Sequence, residues 1–190
     1  MDKLAKGNII VATRRFIDSE LEPELRQRVY HLMPEDVRAV LPDVKRSEWH
    51  PNKLASAQWA ALAESQPTEK DSVELLEQCG RFIGHDATNT FLRLVVRLLT
   101  PSMFVSKFPK IWEKDFKFGR IETEASDVSK NEIVLDIKDV EGFDFFAHTA
   151  CGWFSQAMES MGCKNVVARH DVSFERPGPR DLSVRLSWAA

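Results

Sequence analysis

Apolar residues recur at three- and four-residue spacing through most of the first 118 positions, and the spacing shortens to two in the stretches that follow. Leu25, Val29, Leu32 and Met33 mark a helix that stops before Pro34, and Pro34 to Leu41 forms a second, short one with Val37, Val40 and Leu41 on one side. Asp43 to Asn52 reads as a loop, and Leu54 to Ala63 as an alanine-rich amphipathic helix ended by Pro67. Thr68 opens the next helix, whose acidic first turn leads into Val73, Leu76, Cys79 or Gly80, and Ile83. Gly84 is expected to end or bend it before another helix, His85 to Leu99. Thr100 and Pro101 begin a helix carrying an aromatic seam, Phe104, Phe108, Ile111, Trp112 and Phe116, with a kink expected at Pro109. Arg120 to Ala125 and Asn131 to Lys138 alternate, Ile133, Leu135 and Ile137 inward against Glu132, Asp136 and Lys138, as in a hairpin with one buried face. A helix with Phe146, Ala150, Trp153, Phe154, Ala157, Met158 and Met161 follows, closed by Gly162. Two strands end the pattern, Asn165 to Phe174 and Leu182 to Trp188, joined by Glu175 to Arg180. Gly7 to Phe16, apolar and β-branched at its start, suits a first strand or an extended arm, helix remaining open.

Helices first and about four antiparallel strands last describe an α+β protein: a helical N-terminal half packed on a twisted antiparallel sheet. The 190 residues, 43% hydrophobic, suffice for one substantial core. A single domain over 1–190 is therefore expected, with an N-terminal arm and helices (1–44), a helical layer (45–119) and a sheet with one crossing helix (120–188). Charge acts only by exclusion. Lys+Arg at 26 against Asp+Glu at 29 gives −3, without the basic surplus of nucleic-acid binders. Three widely spaced cysteines without CxxC pairing fit reduced thiols in the cytoplasm. The apolar run Phe91 to Leu99 is interrupted by Arg93 and Arg97, so no membrane insertion is expected.

Chemistry-bearing side chains concentrate between Phe145 and Trp188. His148, Cys151, Cys163 and His170 are of zinc-ligand type, but a helix separates Cys151 from Cys163, and structural zinc sites use tight ligand pairs. His148 and Cys151, at i and i+3 on one helix, have the residue types of a base and a nucleophile. No nucleophile elbow or Gly-rich phosphate loop accompanies them, and no catalytic residue or enzyme activity is expected. For a ligand pocket the relevant features are the aromatic seam Phe104, Phe108, Trp112 and Phe116 and the face Phe146, Trp153 and Phe154. Such spacing serves an ordinary core and equally the wall of an apolar cavity.

The helix TPSMFVSKFPKIWEKDFKFG, the charged hairpin, the helix HTACGWFSQAMESMG and the last hairpin ending at Trp188 together resemble a paralogous protein family described mainly from myxobacteria. The succession is also similar to the small-molecule-binding domains named after vinyl reductase, to haem nitric-oxide-binding (H-NOX) domains, and to the TRAPP subunits of vesicle tethering. The resemblance covers residues 45 to 188 and implies a sensor-like fold, with an apolar pocket in some members and a dimer interface in others. Laid on the zinc site of the vinyl-reductase type, Cys151 keeps the first cysteine. His170 and Ser173 stand where that pattern has E-x-x-C, and Ser183 falls near its last cysteine; hydroxyls are poor zinc ligands. The tyrosine-serine-arginine clamp of H-NOX domains is absent, Tyr30 being the sole tyrosine, and His85 and His148 are the candidates for an axial haem ligand. The expectation is a non-enzymatic sensory or small-molecule-binding protein without a resident cofactor, haem and zinc being the minor alternatives. It would be homodimeric, would bind a small apolar molecule between helices and sheet, and would signal through a separate protein partner. The rival expectation is an interaction scaffold on the same fold, and the third a Cys151-dependent enzyme.

Overall fold

The four-stranded main sheet sets the platform, and one helix laid on it sets almost everything else. The computed structural model describes residues 3–88, 100–122, 131–140, 143–172 and 180–189. Along these the chain forms β1 (Leu4–Lys6), α1 (Gly7–Glu20), α2 (Pro23–Leu32), α3 (Glu35–Val40), β2 (Trp49–Pro51), α4 (Lys53–Glu64) and α5 (Glu69–Thr88). It continues with α6 (Pro101–Asp115), β3 (Arg120–Glu122), β4 (Glu132–Lys138), α7 (Phe146–Ser160), β5 (Lys164–His170) and β6 (Leu182–Ala189). The result is the expected α+β architecture, helices over a four-stranded antiparallel sheet of order β3-β4-β6-β5.

The alternation in β4 and β6 puts Ile133, Leu135 and Ile137 opposite Leu186, Val184 and Leu182, all six buried on one face. Glu132, Asp136, Ser183 and Arg185 pair on the other face, Arg185 reaching Glu132 at 2.6 Å. Helix α7 lies against β5 and β6, with α5 on its opposite side. Flanked on both sides, it is buried around most of its girth, His148, Thr149 and Ser155 included.

Two glycines make that sandwich thin. A Cβ at Gly80 of α5 would stand 1.9 Å from the carbonyl oxygen of Thr149, and one at Gly152 of α7 would stand 1.9 Å from that of Glu77. The helices therefore touch backbone to backbone, each glycine seated on the other's turn. Arg81 clamps the exposed side of the crossing through two bonds to Glu159, at 2.8 and 2.9 Å. At its end α7 closes through Gly162, at φ +96°, whose N–H donates to Glu159 while the Cys163 N–H donates to Met158.

Of the readings open for Gly7–Phe16, strand or extended arm on one hand and helix on the other, the structure has the helix, α1. Ile9, Ala12, Thr13 and Phe16 share one buried face and Ile10 and Ile17 another, so burial on two sides overrides the β-branched propensity of the opening run. The loop assigned to Asp43–Asn52 contains β2, which pairs antiparallel with β1. Trp49 in that strand is held by Lys6 and Lys117, each ammonium 4.5 Å from its ring centroid. Gly84 neither ends nor breaks α5, which runs on to Thr88; the greater part of the His85–Leu99 helix lies outside the described residues, as do the tips of both hairpins. Phe145, just before α7, sits at φ 58°, an uncommon and strained conformation for a bulky residue. No helix among the described residues is long and apolar enough to cross a membrane.

Alanine at either crossing glycine should act as severe overpacking. Gly80→Ala or Gly152→Ala is expected to lower unfolding free energy by about 2–3 kcal/mol or more, because the new methyl meets backbone that no rotamer change can move. Gly162→Asn, where nothing lies within 4 Å of the added Cβ, should cost under about 1 kcal/mol. Urea unfolding of the three variants compares them directly, and equal losses at all three positions would refute the tight crossing.

Candidate functional site

Helices α1, α4, α5, α6 and α7 line a half-open cavity of about 60 Å³. Helix α6 is positioned for this by its ends. The Thr100 hydroxyl accepts from the Met103 N–H, Pro101 occupies the first turn, and the seam residues then fall along the buried face despite Pro109 within the helix. Of the seven aromatic residues singled out for a pocket, Phe108, Trp112, Phe116, Phe146, Trp153 and Phe154 line it. Phe104 sits one layer back, its ring centroid 5.3 Å from that of Phe108 and 6.3 Å from that of Trp153. The location differs from the one expected between helices and sheet. None of its described lining residues belongs to the sheet: the apolar face of β4 and β6 is already buried, and the gap lies among the helices.

The lining also includes residues that the sequence pattern did not flag, of which Trp59, Asn8, Thr149 and Asp115 matter most. Trp59 Nε1–H donates to the Thr13 hydroxyl at 3.3 Å and Trp112 Nε1–H donates to the Phe118 carbonyl at 2.8 Å. Both indoles are thus oriented by bonds made to groups that do not line the cavity. Phe143 and Phe146, stacked with centroids 4.6 Å apart, pack against Trp59 and Phe116. Polarity comes mainly from Asp115, at the C-terminal end of α6, which accepts a 3.0 Å bond from the Asn8 side-chain amide. Burial pushes the Asp115 carboxyl above its ordinary range, against that bond and the positive charges of Lys114 and Lys6. The sequence did hold a signal for it: Phe108, Ile111 or Trp112, and Asp115 continue one helical stripe, so an acid stands where an apolar residue is due.

The His and Cys cluster is only partly assembled. His148 on α7 and His170 on β5 meet, with Nδ1 and Nε2 2.9 Å apart and the rings edge to face. Cys151 and Cys163 do not complete a set around them: among the described residues no group of three or more His, Cys, Asp or Glu side chains is placed to hold a metal. Cys151 is buried, and its thiol is pushed up to about 12, by desolvation first and the Glu77 carboxylate second, the reverse of an activated nucleophile. Cys79, also buried, is raised by the same desolvation, and only Cys163 is partly exposed. His31 and His85 are exposed on α2 and α5, and His50 lies 3.3 Å from the Lys45 carbonyl. None of the five histidines lines the cavity. Tyr30 donates to Asp18 at 2.7 Å, away from it.

Two solution tests follow from these environments. A thiol reagent at neutral pH should label Cys163 on the native protein, Cys79 and Cys151 reacting only after denaturation; fast native labelling at Cys151 would restore the enzyme reading. Acid should weaken the fold through the histidine pair. Desolvation, then the neighbouring His170, lowers His148 from 6.5 to about 4, and desolvation also lowers His170. The unfolded chain therefore binds protons that the folded one refuses. This contribution is intact above about 6.5 and is lost as pH falls toward about 4. Melting temperature measured across that window should drop, and His148→Gln should flatten the slope.

No protein-family model matches the chain. No curated protein matches it either. Solved structures do. A mutant H-NOX protein from K. algicida, Fe(II) unliganded, superimposes with a TM-score of 0.68 at 11% identity, over 97% of each chain. An H-NOX protein from S. oneidensis in the Fe(II)NO state gives 0.67 at 11%, over 97% of this chain and 99% of that one. A doubly substituted Tt H-NOX gives 0.64 at 15%, over 97% and 95%. At such identities the likeness is one of fold, and on that ground the chain has an H-NOX-like fold.

Proposed function

We propose that this protein is a non-enzymatic sensory domain that binds a compact, mainly apolar molecule in the helix-lined cavity and reports its occupancy to a separate protein partner. The observation that carries this is an aromatic cavity with fixed indoles on a fold shared with H-NOX sensors. At about 10–15 Å³ per water-sized group, 60 Å³ holds about four to six such groups. The part of a ligand held inside is thus well below the drug-sized molecules whose pockets start near 300 Å³.

Haem, which the H-NOX family carries, does not fit the described residues. A macrocycle exceeds this cavity, and its lining includes no histidine, cysteine, methionine or tyrosine to serve as an axial ligand. The His148 and His170 rings are engaged with each other on the sheet side of α7. The partner contact is proposed for the β5 edge of the sheet, where one strand face is open and Val167 is exposed. A scaffold without ligand is the second reading, and the small size of the cavity favours it.

Neutral probes separate the two. Benzene or isobutanol titrated into the protein should give a saturable change in tryptophan fluorescence, since Trp59, Trp112 and Trp153 all border the cavity. Ala150→Val, which adds two methyl groups at the cavity wall, should weaken binding about tenfold at a stability cost of no more than about 1–3 kcal/mol. No saturable response to any probe would leave the scaffold.

A further inference from the structure

The lining has a charge pattern as well as a shape. Among the described lining residues stand one carboxylate and no lysine, arginine or histidine. Three of the walls are the tryptophans Trp59, Trp112 and Trp153, and indole faces carry negative potential that attracts cations more strongly than other rings do. Trp59 and Trp112 bond their N–H groups to Thr13 and Phe118, so they bring ring surface to the cavity and not a donor. At one end Asp115 has a single hydrogen bond among the described residues, from Asn8 to Oδ1, and makes no salt bridge with any of them. The nearby Lys6 ammonium is placed over the Trp49 ring at 4.5 Å. A carboxylate kept partly from water, short of partners and set against aromatic faces, has the arrangement that recognises a positively charged group.

We propose that the ligand is a small alkylammonium ion of about four to six non-hydrogen atoms, its charge held by Asp115 and its carbon skeleton by the tryptophan faces. This rests on the reading that the cavity binds a small molecule at all. Anions are repelled by the only charge among the described lining residues, and larger amines would project beyond the cavity.

The test compares isobutylammonium with isobutanol, which share skeleton and atom count and differ in charge, by calorimetry on the purified protein. Isobutylammonium should bind at least about tenfold tighter, and tetramethylammonium should compete with it. Asp115→Asn should remove the difference, chiefly by weakening isobutylammonium at least about tenfold. Equal binding of amine and alcohol by the wild-type protein, or tighter binding of the alcohol, overturns the charge assignment and leaves the cavity reading intact. If neither probe nor benzene binds, both fail. The wild-type comparison decides between these results even where the Asp115 variant folds poorly.

Discussion

The backbone contact between α5 and α7 is the constraint on which the other features rest. Helices separated by ordinary side chains stand about 8–10 Å apart; Gly80 and Gly152 bring these two closer, turn against turn. Closeness here lets α7 cover the sheet with one side while α5 covers the other. What remains of its circumference, the edge bearing Thr149, Ala150, Trp153 and Phe154, is turned toward α6. A wider crossing would push that edge into the space the cavity occupies.

Protein interiors close most gaps, so an apolar cavity that persists needs an explanation. Rings large enough to fill the space are present, but they are tied. Trp59 is bonded to Thr13 and Trp112 to the Phe118 carbonyl, and Phe143 and Phe146 are stacked upon each other. The α5–α7 contact prevents collapse from a further side, since neither helix can approach closer. Asp115 resists it at the polar end, where complete burial would leave a carboxylate with one hydrogen bond among the described residues.

How far the sequence revealed this depended on period. α4, α6, α7, β4 and β6 each sustain one repeat long enough to be read, and because α6 and α7 supply most of the cavity wall, the aromatic residues were legible with them. α1 was not: Ile9, Ile10 and Val11 form a short apolar run without a period, and only the two-sided burial at Phe16 and Ile17 reveals the helix. Asn8 was hidden by the same ambiguity, and β1 and β2, three residues each, are too short to carry a pattern. Asp115 was visible only as an interruption. In the His and Cys cluster, spacing could not tell which of four residues meet, because His148 and His170 are joined through the packing of α7 on β5. The H-NOX resemblance rested on element order, which survives where individual residues have changed.

The paired glycines also shape how this sequence can diverge. Every other amino acid adds a Cβ, so no single substitution at Gly80 or Gly152 is a neutral step. Room for a methyl requires the helices to part, which loosens Leu76, Cys79, Ile83 and Phe154 together. Drift there must be concerted: a larger residue on one helix calls for compensating losses on the facing one, and the effects of such changes will not add. Homologues with alanine or serine at one of these positions should therefore differ at the facing turn as well, making this crossing a place where ancestry is recorded in pairs of residues.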